Sequence, residues 1–198
     1  QWMLLTGVWM VMFFVAGWSW TWIFGLGTAA LSALGFGYVT QAHVRSRIDR
    51  FLNPSSGDTY QVDKASEAIS SGGVFGHDLH EVPGVKASLP DAHTDFVFAV
   101  AVEEFGLVIG LLIIGAFLMI ALRGFSAALS TRDLFTKCVI AGLTAALTLQ
   151  AAINIGVNVS LLPAKGMTLP LVSYGGSSLL ATGLTVGLLL VFTRKKGS

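Results

Sequence analysis

Apolar runs dominate the chain and are cut by a few polar stretches. Trp2 to about Gly17 is nearly all apolar and slightly short for a bilayer span. Trp18, Trp20 and Trp22 then crowd a short turn, and indole rings favour the headgroup layer. A second run covers about Ile23 to Thr40, its Gly25, Gly27, Gly35 and Gly37 suiting close helix contacts in lipid. Residues 44–94 are polar, with a turn-rich Asn53-Pro-Ser-Ser-Gly-Asp58, an amphipathic piece near Val62 to Ile69 and a glycine patch, Ser71 to Gly76. Apolar runs return at about Phe96 to Leu122, Val139 to Leu161 and Val172 to Phe192. A hydrocarbon core needs about 20 apolar residues per helix. The pattern therefore predicts an all-α membrane protein with five transmembrane helices. Two helices lie in 1–43, a large loop outside the hydrocarbon in 44–94, and three helices in 95–198, with a connector near 123–137 and a Pro/Gly hairpin near 162–171.

Composition excludes a soluble domain: of 198 residues, 54% are hydrophobic and 12% charged, with mean hydropathy +0.73. Soluble domains carry about 25% charge. The lone Cys138 excludes an internal disulfide and any multi-cysteine metal site. Arg123, Arg132, Lys137 and Arg194-Lys-Lys196 fall on one side of the five-segment pattern. The positive-inside rule makes that side, and the C-terminus, cytoplasmic and turns the 44–94 loop and the hairpin outward. Arg45, Arg47 and Arg50 run against the rule, which long loops tolerate. The chain opens on Gln1 in an apolar run without a basic n-region, so the natural protein is expected to extend upstream.

The densest polar constellation is Leu89-Pro-Asp-Ala-His-Thr-Asp-Phe96, at the outer mouth of the third run. Placed in a first helical turn, Asp91, His93, Thr94 and Asp95 read either as capping groups favoured by the helix dipole or as a reactive cluster. A carboxylate at this water–lipid boundary suits a general base for an incoming hydroxyl, or a ligand for a divalent cation on a pyrophosphate. Glu103 and Glu104 lie about two turns deeper, where carboxylates are functional or proton-linked candidates and structural ion pairs are the alternative. Gln150, Asn154 and Asn158 recur every four residues, a stripe that knits helices or lines a polar groove. Ser173-Tyr-Gly-Gly-Ser-Ser178 suits close packing, and Lys165 in the hairpin suits a phosphate. The glycine patch lacks the Lys-Ser/Thr of a P-loop, and no serine sits in a nucleophile elbow.

Leu89-Pro-Asp-Ala-His-Thr-Asp-Phe-Val-Phe-Ala99 followed by Glu103-Glu-Phe-Gly106 resembles the signature of the SEDS proteins, the family of FtsW, RodA and SpoVE. Arg50-Phe-Leu-Asn-Pro54 with Asp58 to Gln61, Asn154-Ile-Gly156, Leu161-Leu-Pro-Ala-Lys-Gly166 and Leu169-Pro-Leu-Val-Ser-Tyr-Gly-Gly-Ser-Ser178 fit it too, in order. The Lys-Gly pair is closer to the FtsW branch. The resemblance implies the second half of a ten-helix bundle that polymerises lipid II into septal glycan strands during cell division. It implies a class B penicillin-binding transpeptidase and other division membrane proteins as partners, in the bacterial inner membrane. The family's essential aspartate maps onto Asp95. His93, Lys165, Ser173 and the arginines 45, 47 and 50 are then candidates for binding substrate and its pyrophosphate, with membrane lipid an alternative target of the arginines. A divalent cation, Mg or Mn, is expected as an aid at Asp95; no organic cofactor and no nucleic acid are expected.

Two competing functions belong to other classes. A flippase for a lipid-linked precursor would use Glu103, Glu104 and the Gln150–Asn158 stripe as a polar path. A non-catalytic division scaffold would not need Asp95.

Overall fold

The computed structural model describes residues 2–52, 60–76, 94–163 and 166–194, without the side chains of residues 2, 47, 50–52 and 60–62. Those residues form seven helices: α1 Trp2–Val15, α2 Trp20–Thr40, α3 Ala42–Leu52, α4 Tyr60–Ser71, α5 Val97–Ser130, α6 Leu134–Asn158 and α7 Gly176–Thr193. Among them α2, α5, α6 and α7 are long and apolar enough to span a bilayer. The five expected spans thus become four, plus a 14-residue apolar α1 that rises only about 20 Å.

α6 is the hub. It packs against α5, α1 and α7, while α2 packs on α1 and α3 on α2. Small residues set these contacts: Gly142 of α6 lies against Met12 of α1, and Gly7 of α1 against Leu149 of α6. Val15, Ala128, Ile140 and Ala141 form the core at one end of the bundle. Phe98, Val102, Phe117, Ala151 and Leu169 form the other, joining α5, α6 and the hairpin. Asp133 caps α6, its carboxylate accepting from the Thr136 N–H at 2.8 Å and from Oγ1 at 2.6 Å.

α5 runs two turns past the expected end at Leu122, so the connector to α6 is only residues 131–133. Between Glu104 and Arg123 the helix holds 18 uncharged residues. The 19 rises from Glu104 to Arg123 span about 29 Å, the hydrocarbon thickness. That uncharged stretch, between the Glu103–Glu104 pair and Arg123, is long enough to cross the hydrocarbon.

The amphipathic piece expected near 62–69 is α4, which seats Ala65 and Ala68 on Phe96, Ala99 and Val100. The glycine patch after it packs into a break in α5. Gly106 has φ 80° and ψ 177°, a conformation that only glycine adopts readily. The Leu107 N–H leaves its own helix and donates to Gly73 O at 3.0 Å. A Cβ at Gly72 would come within 2.2 Å of Val102 O, one at Gly76 within 2.2 Å of Glu104 O, and one at Gly106 within 2.3 Å of Val74 O. Two backbones therefore touch without side chains between them, which locks part of the 44–94 loop to α5.

Candidate functional site

Asp95 lies in a turn of Thr94, Asp95 and Phe96, ahead of α5 rather than in its first helical turn. The helix begins at Val97, so the capping role expected of this acid is not what holds it. Asp91 and His93 lie outside the described residues.

The turn is held by the amide stripe of α6. Asn154 Nδ2 donates to Asp95 O at 2.8 Å and also to Met167 O of the hairpin. Asn158 Nδ2 donates to Asp95 O at 3.1 Å and to Asn154 O at 2.9 Å, while its Oδ1 accepts from the Ala99 N–H at 3.1 Å. Gln150 Nε2 donates to Thr168 O at 3.0 Å. Asn154 and Asn158 are buried, and buried amides keep their place only when bonded. The i, i+4 spacing foresaw one face. Its partners, backbone carbonyls of the loop and the hairpin, carry no side-chain signal. The stripe clamps the loop turn and the hairpin together.

Ser173 closes the clamp from the far side. Its hydroxyl donates to Thr94 O and accepts from the Leu169 N–H at 2.7 Å. At 2% exposure its side chain is a strut between the turn and the hairpin. Leu169 and Pro170 are buried beside it, and Leu171 is held at φ 67°. A left-handed branched residue costs of order 1–3 kcal/mol and persists only where its surroundings over-determine it.

The hairpin also meets the Asp95 side chain. A Cβ added to Gly166 would sit 3.1 Å from Asp95 Oδ2, and Gly166 has φ +55°. The carboxylate therefore faces the hairpin backbone, an approach that sequence reading missed although it noted the Lys-Gly pair. Lys165 lies outside the described residues, adjacent in chain to that contact.

The other candidates sit apart. Arg45 pairs with Asp49 at 3.6 Å and lies 5.8 Å from the Tyr38 ring centroid, while the Tyr38 hydroxyl donates to Asp49 Oδ1 at 2.9 Å. These groups are on α2 and α3, and α3 packs on α2 rather than α5 or α6. Arg47 and Arg50 share α3, their side chains outside the description. The structure does not bring Arg45 to Asp95. Glu103 is buried under the glycine seam, its Cα 2.8 Å from where a Gly72 Cβ would be, and Glu104 is half-buried.

No group of three His, Cys, Asp or Glu converges as a metal site among the described residues. The Asp95 carboxylate fits a magnesium-like ion only as one ligand beside substrate phosphates, the usual mode for that ion.

A family model described as "Cell cycle protein", that of FtsW, RodA and SpoVE, matches residues 1–197. The chain is 45% identical over 197 residues to the "Probable peptidoglycan glycosyltransferase FtsW" of Caulobacter vibrioides (strain NA1000 / CB15N), covering 99% of this chain and 50% of that protein. It is 39% identical over 195 residues to "Stage V sporulation protein E" of Bacillus subtilis (strain 168), covering 96% and 53%. A chain solved in work titled "Structural coordination of polymerization and crosslinking by a peptidoglycan synthase complex" superposes with TM-score 0.73 at 31% identity, over 98% of this chain and 56% of that one. The chain spans about half the length of the curated relatives it matches. With four apolar spans around the clamped turn, it is a multi-pass membrane protein and belongs to the FtsW/RodA/SpoVE cell cycle protein family.

Proposed function

We propose that the full-length protein is a peptidoglycan glycosyltransferase that polymerises lipid II into glycan strands during septal wall synthesis. The observation that carries this is the Asp95 turn. Its main chain is gripped by Asn154 and Asn158, and its carboxylate faces the hairpin at the mouth of α5.

In the proposed step the Asp95 carboxylate takes the proton of the acceptor sugar's 4-hydroxyl. The hydroxyl oxygen bonds to the donor's anomeric carbon as the bond to undecaprenyl pyrophosphate breaks, and the pyrophosphate keeps that electron pair. A positioned base of this kind contributes about 10²–10⁴-fold. Preorganised cations stabilise the departing charge. Lys165, next to Gly166, and His93, two residues before Asp95, are the nearest candidates in chain. Arg45, Arg47 and Arg50, out on α3, suit capture of the phosphate headgroup before reaction. A divalent cation, when bound, would supply charge neutralisation on the pyrophosphate, with Asp95 as its protein ligand.

Relatives named as peptidoglycan glycosyltransferases, and a neighbour from a peptidoglycan synthase complex, support this reading. A class B transpeptidase and other division proteins are the proposed partners. The side that carries Arg123, Arg132, Lys137 and Arg194 is proposed to face the cytoplasm.

The test is lipid II polymerisation by the full-length protein with its transpeptidase partner, products resolved by length. Asp95→Asn should lower polymer about 10²-fold or more at normal membrane expression. Retained polymer would move the chemistry away from Asp95 and favour a flippase or scaffold.

A further inference from the structure

A cavity of about 1000 Å³ lies at the opposite end of the bundle from Asp95, between α5, α6 and α7. Arg123 lies 26 residues after Val97, the first residue of α5, and so far along the helix from the Asp95 turn. Arg123 and Arg194 stand in its lining, with the Ser126 hydroxyl. Its other walls combine apolar side chains, among them Leu122, Ile140 and Phe192, with the hydroxyl residues Ser130, Thr131, Thr136 and Thr193. The volume is at the upper end of ordinary ligand pockets, about 300–1,000 Å³.

Position and chemistry agree. Arg123 is the first charge after the 18-residue uncharged stretch of α5, and Arg194 follows the last residue of α7. Both guanidinium groups therefore stand at headgroup depth. Among the described residues neither has an ion-pair partner. The hydroxyls of Ser130, Thr131 and Thr193 already donate to carbonyls of their own helices, leaving the arginines and Ser126 as the donors to a ligand. The nearby carboxylate of Asp133 is not in the lining and is taken up by Thr136. Two forked cations over an apolar cleft match one phosphate oxyanion attached to hydrocarbon. Basic pockets between transmembrane helices bind anionic lipid headgroups in this way.

We propose that this cavity is a site for one anionic phospholipid, its phosphate on Arg123 and Arg194 and the start of an acyl chain along the apolar wall. The site is separate from the Asp95 turn and does not depend on the reaction proposed there.

The experiment is native mass spectrometry of the full-length protein, delipidated and returned to phosphatidylglycerol or phosphatidylethanolamine. The wild type should retain one phosphatidylglycerol in preference to phosphatidylethanolamine. Arg123→Gln with Arg194→Gln should weaken retention about 30-fold, and each alone about fivefold. Arg132→Gln, outside the lining, should not. Arg194→Gln alone gives the answer if the double variant fails to fold, because it changes only an exposed helix end. Equal retention by wild type and variants, or no preference between the two lipids, would overturn the proposal. Displacement of the lipid by millimolar inorganic phosphate would also overturn it, by assigning the site to a soluble anion.

Discussion

Asn154 holds residue 95 by its main chain: Nδ2 of the asparagine lies 2.8 Å from the Asp95 carbonyl oxygen, 59 positions earlier in the chain. The same amide reaches Met167 O, so one side chain sets the spacing between the Asp95 turn and the hairpin.

Asn154→Ala should therefore impair the reaction without touching the reacting groups. It leaves two carbonyls without this donor, a loss of about 1–3 kcal/mol for buried groups. Thermal unfolding in detergent should report that loss, and polymer yield should fall while Asp95 is intact. Asn154→Asp should be worse, because it sets a carboxylate oxygen, an acceptor, against two carbonyl acceptors. A variant with wild-type unfolding and wild-type yield would show that the clamp is dispensable.

The clamp also marks what was legible in the sequence. The i, i+4 repeat of Gln150, Asn154 and Asn158 announced a polar face on a helix, and the apolar runs announced the helices. The partners could not be read, because they are backbone carbonyls of a turn and a hairpin whose folded positions no side-chain pattern encodes. The bond from Ser173 to Thr94 O was hidden for the same reason: a hydroxyl among glycines gives no sign of which carbonyl the fold will bring to it. The boundary of α5 was misplaced because a charge at Arg123 ends a hydrophobic run but does not end a helix.

The seam between the glycine patch and α5 predicts a sharp contrast among glycines. Gly72→Ala and Gly106→Ala each force a Cβ into backbone atoms 2.2–2.3 Å away, and should destabilise by more than about 2 kcal/mol. Gly115→Ala and Gly183→Ala, with nothing within 4 Å of the added carbon, should stay within about 0.5 kcal/mol. Thermal midpoints of the four variants, measured side by side, check this.

Gly124 and Thr144 should be coupled. A Cβ at Gly124 would lie 2.3 Å from Thr144 Oγ1, and that hydroxyl is buried without a hydrogen-bond partner in the described structure. Gly124→Ala should destabilise, and Thr144→Ala should relieve part of that loss, giving an interaction energy of about 0.5–3 kcal/mol in a double-mutant cycle. Thr144→Val, which keeps the shape and removes the unpaired group, should be close to neutral or stabilising.

The α6 cap should respond to acid. Hydrogen bonds from the Thr136 side chain, then from its backbone, hold the Asp133 carboxyl below its usual 3.8. A lowered pKa means that the cap's contribution is present above 3.8 and is lost as pH falls through the lower folded value. Hydrogen exchange at the Thr136 amide should be flat relative to its neighbours above pH 4 and lose protection below 3.8. Thr136→Val should move that loss toward the usual carboxylate value. An acid profile unchanged by Thr136→Val would show that the hydroxyl does not tune the cap.

The two donors that Asn154 and Asn158 send to residue 95 reach an oxygen that every amino acid possesses. Architecture and chemistry are thus separable in this lineage. A descendant that exchanged the carboxylate for another side chain would keep the same turn, the same clamp and the same docking faces. On the proposed function, a catalytically silent paralogue, retained for assembly alone, would lie a single codon away from this sequence.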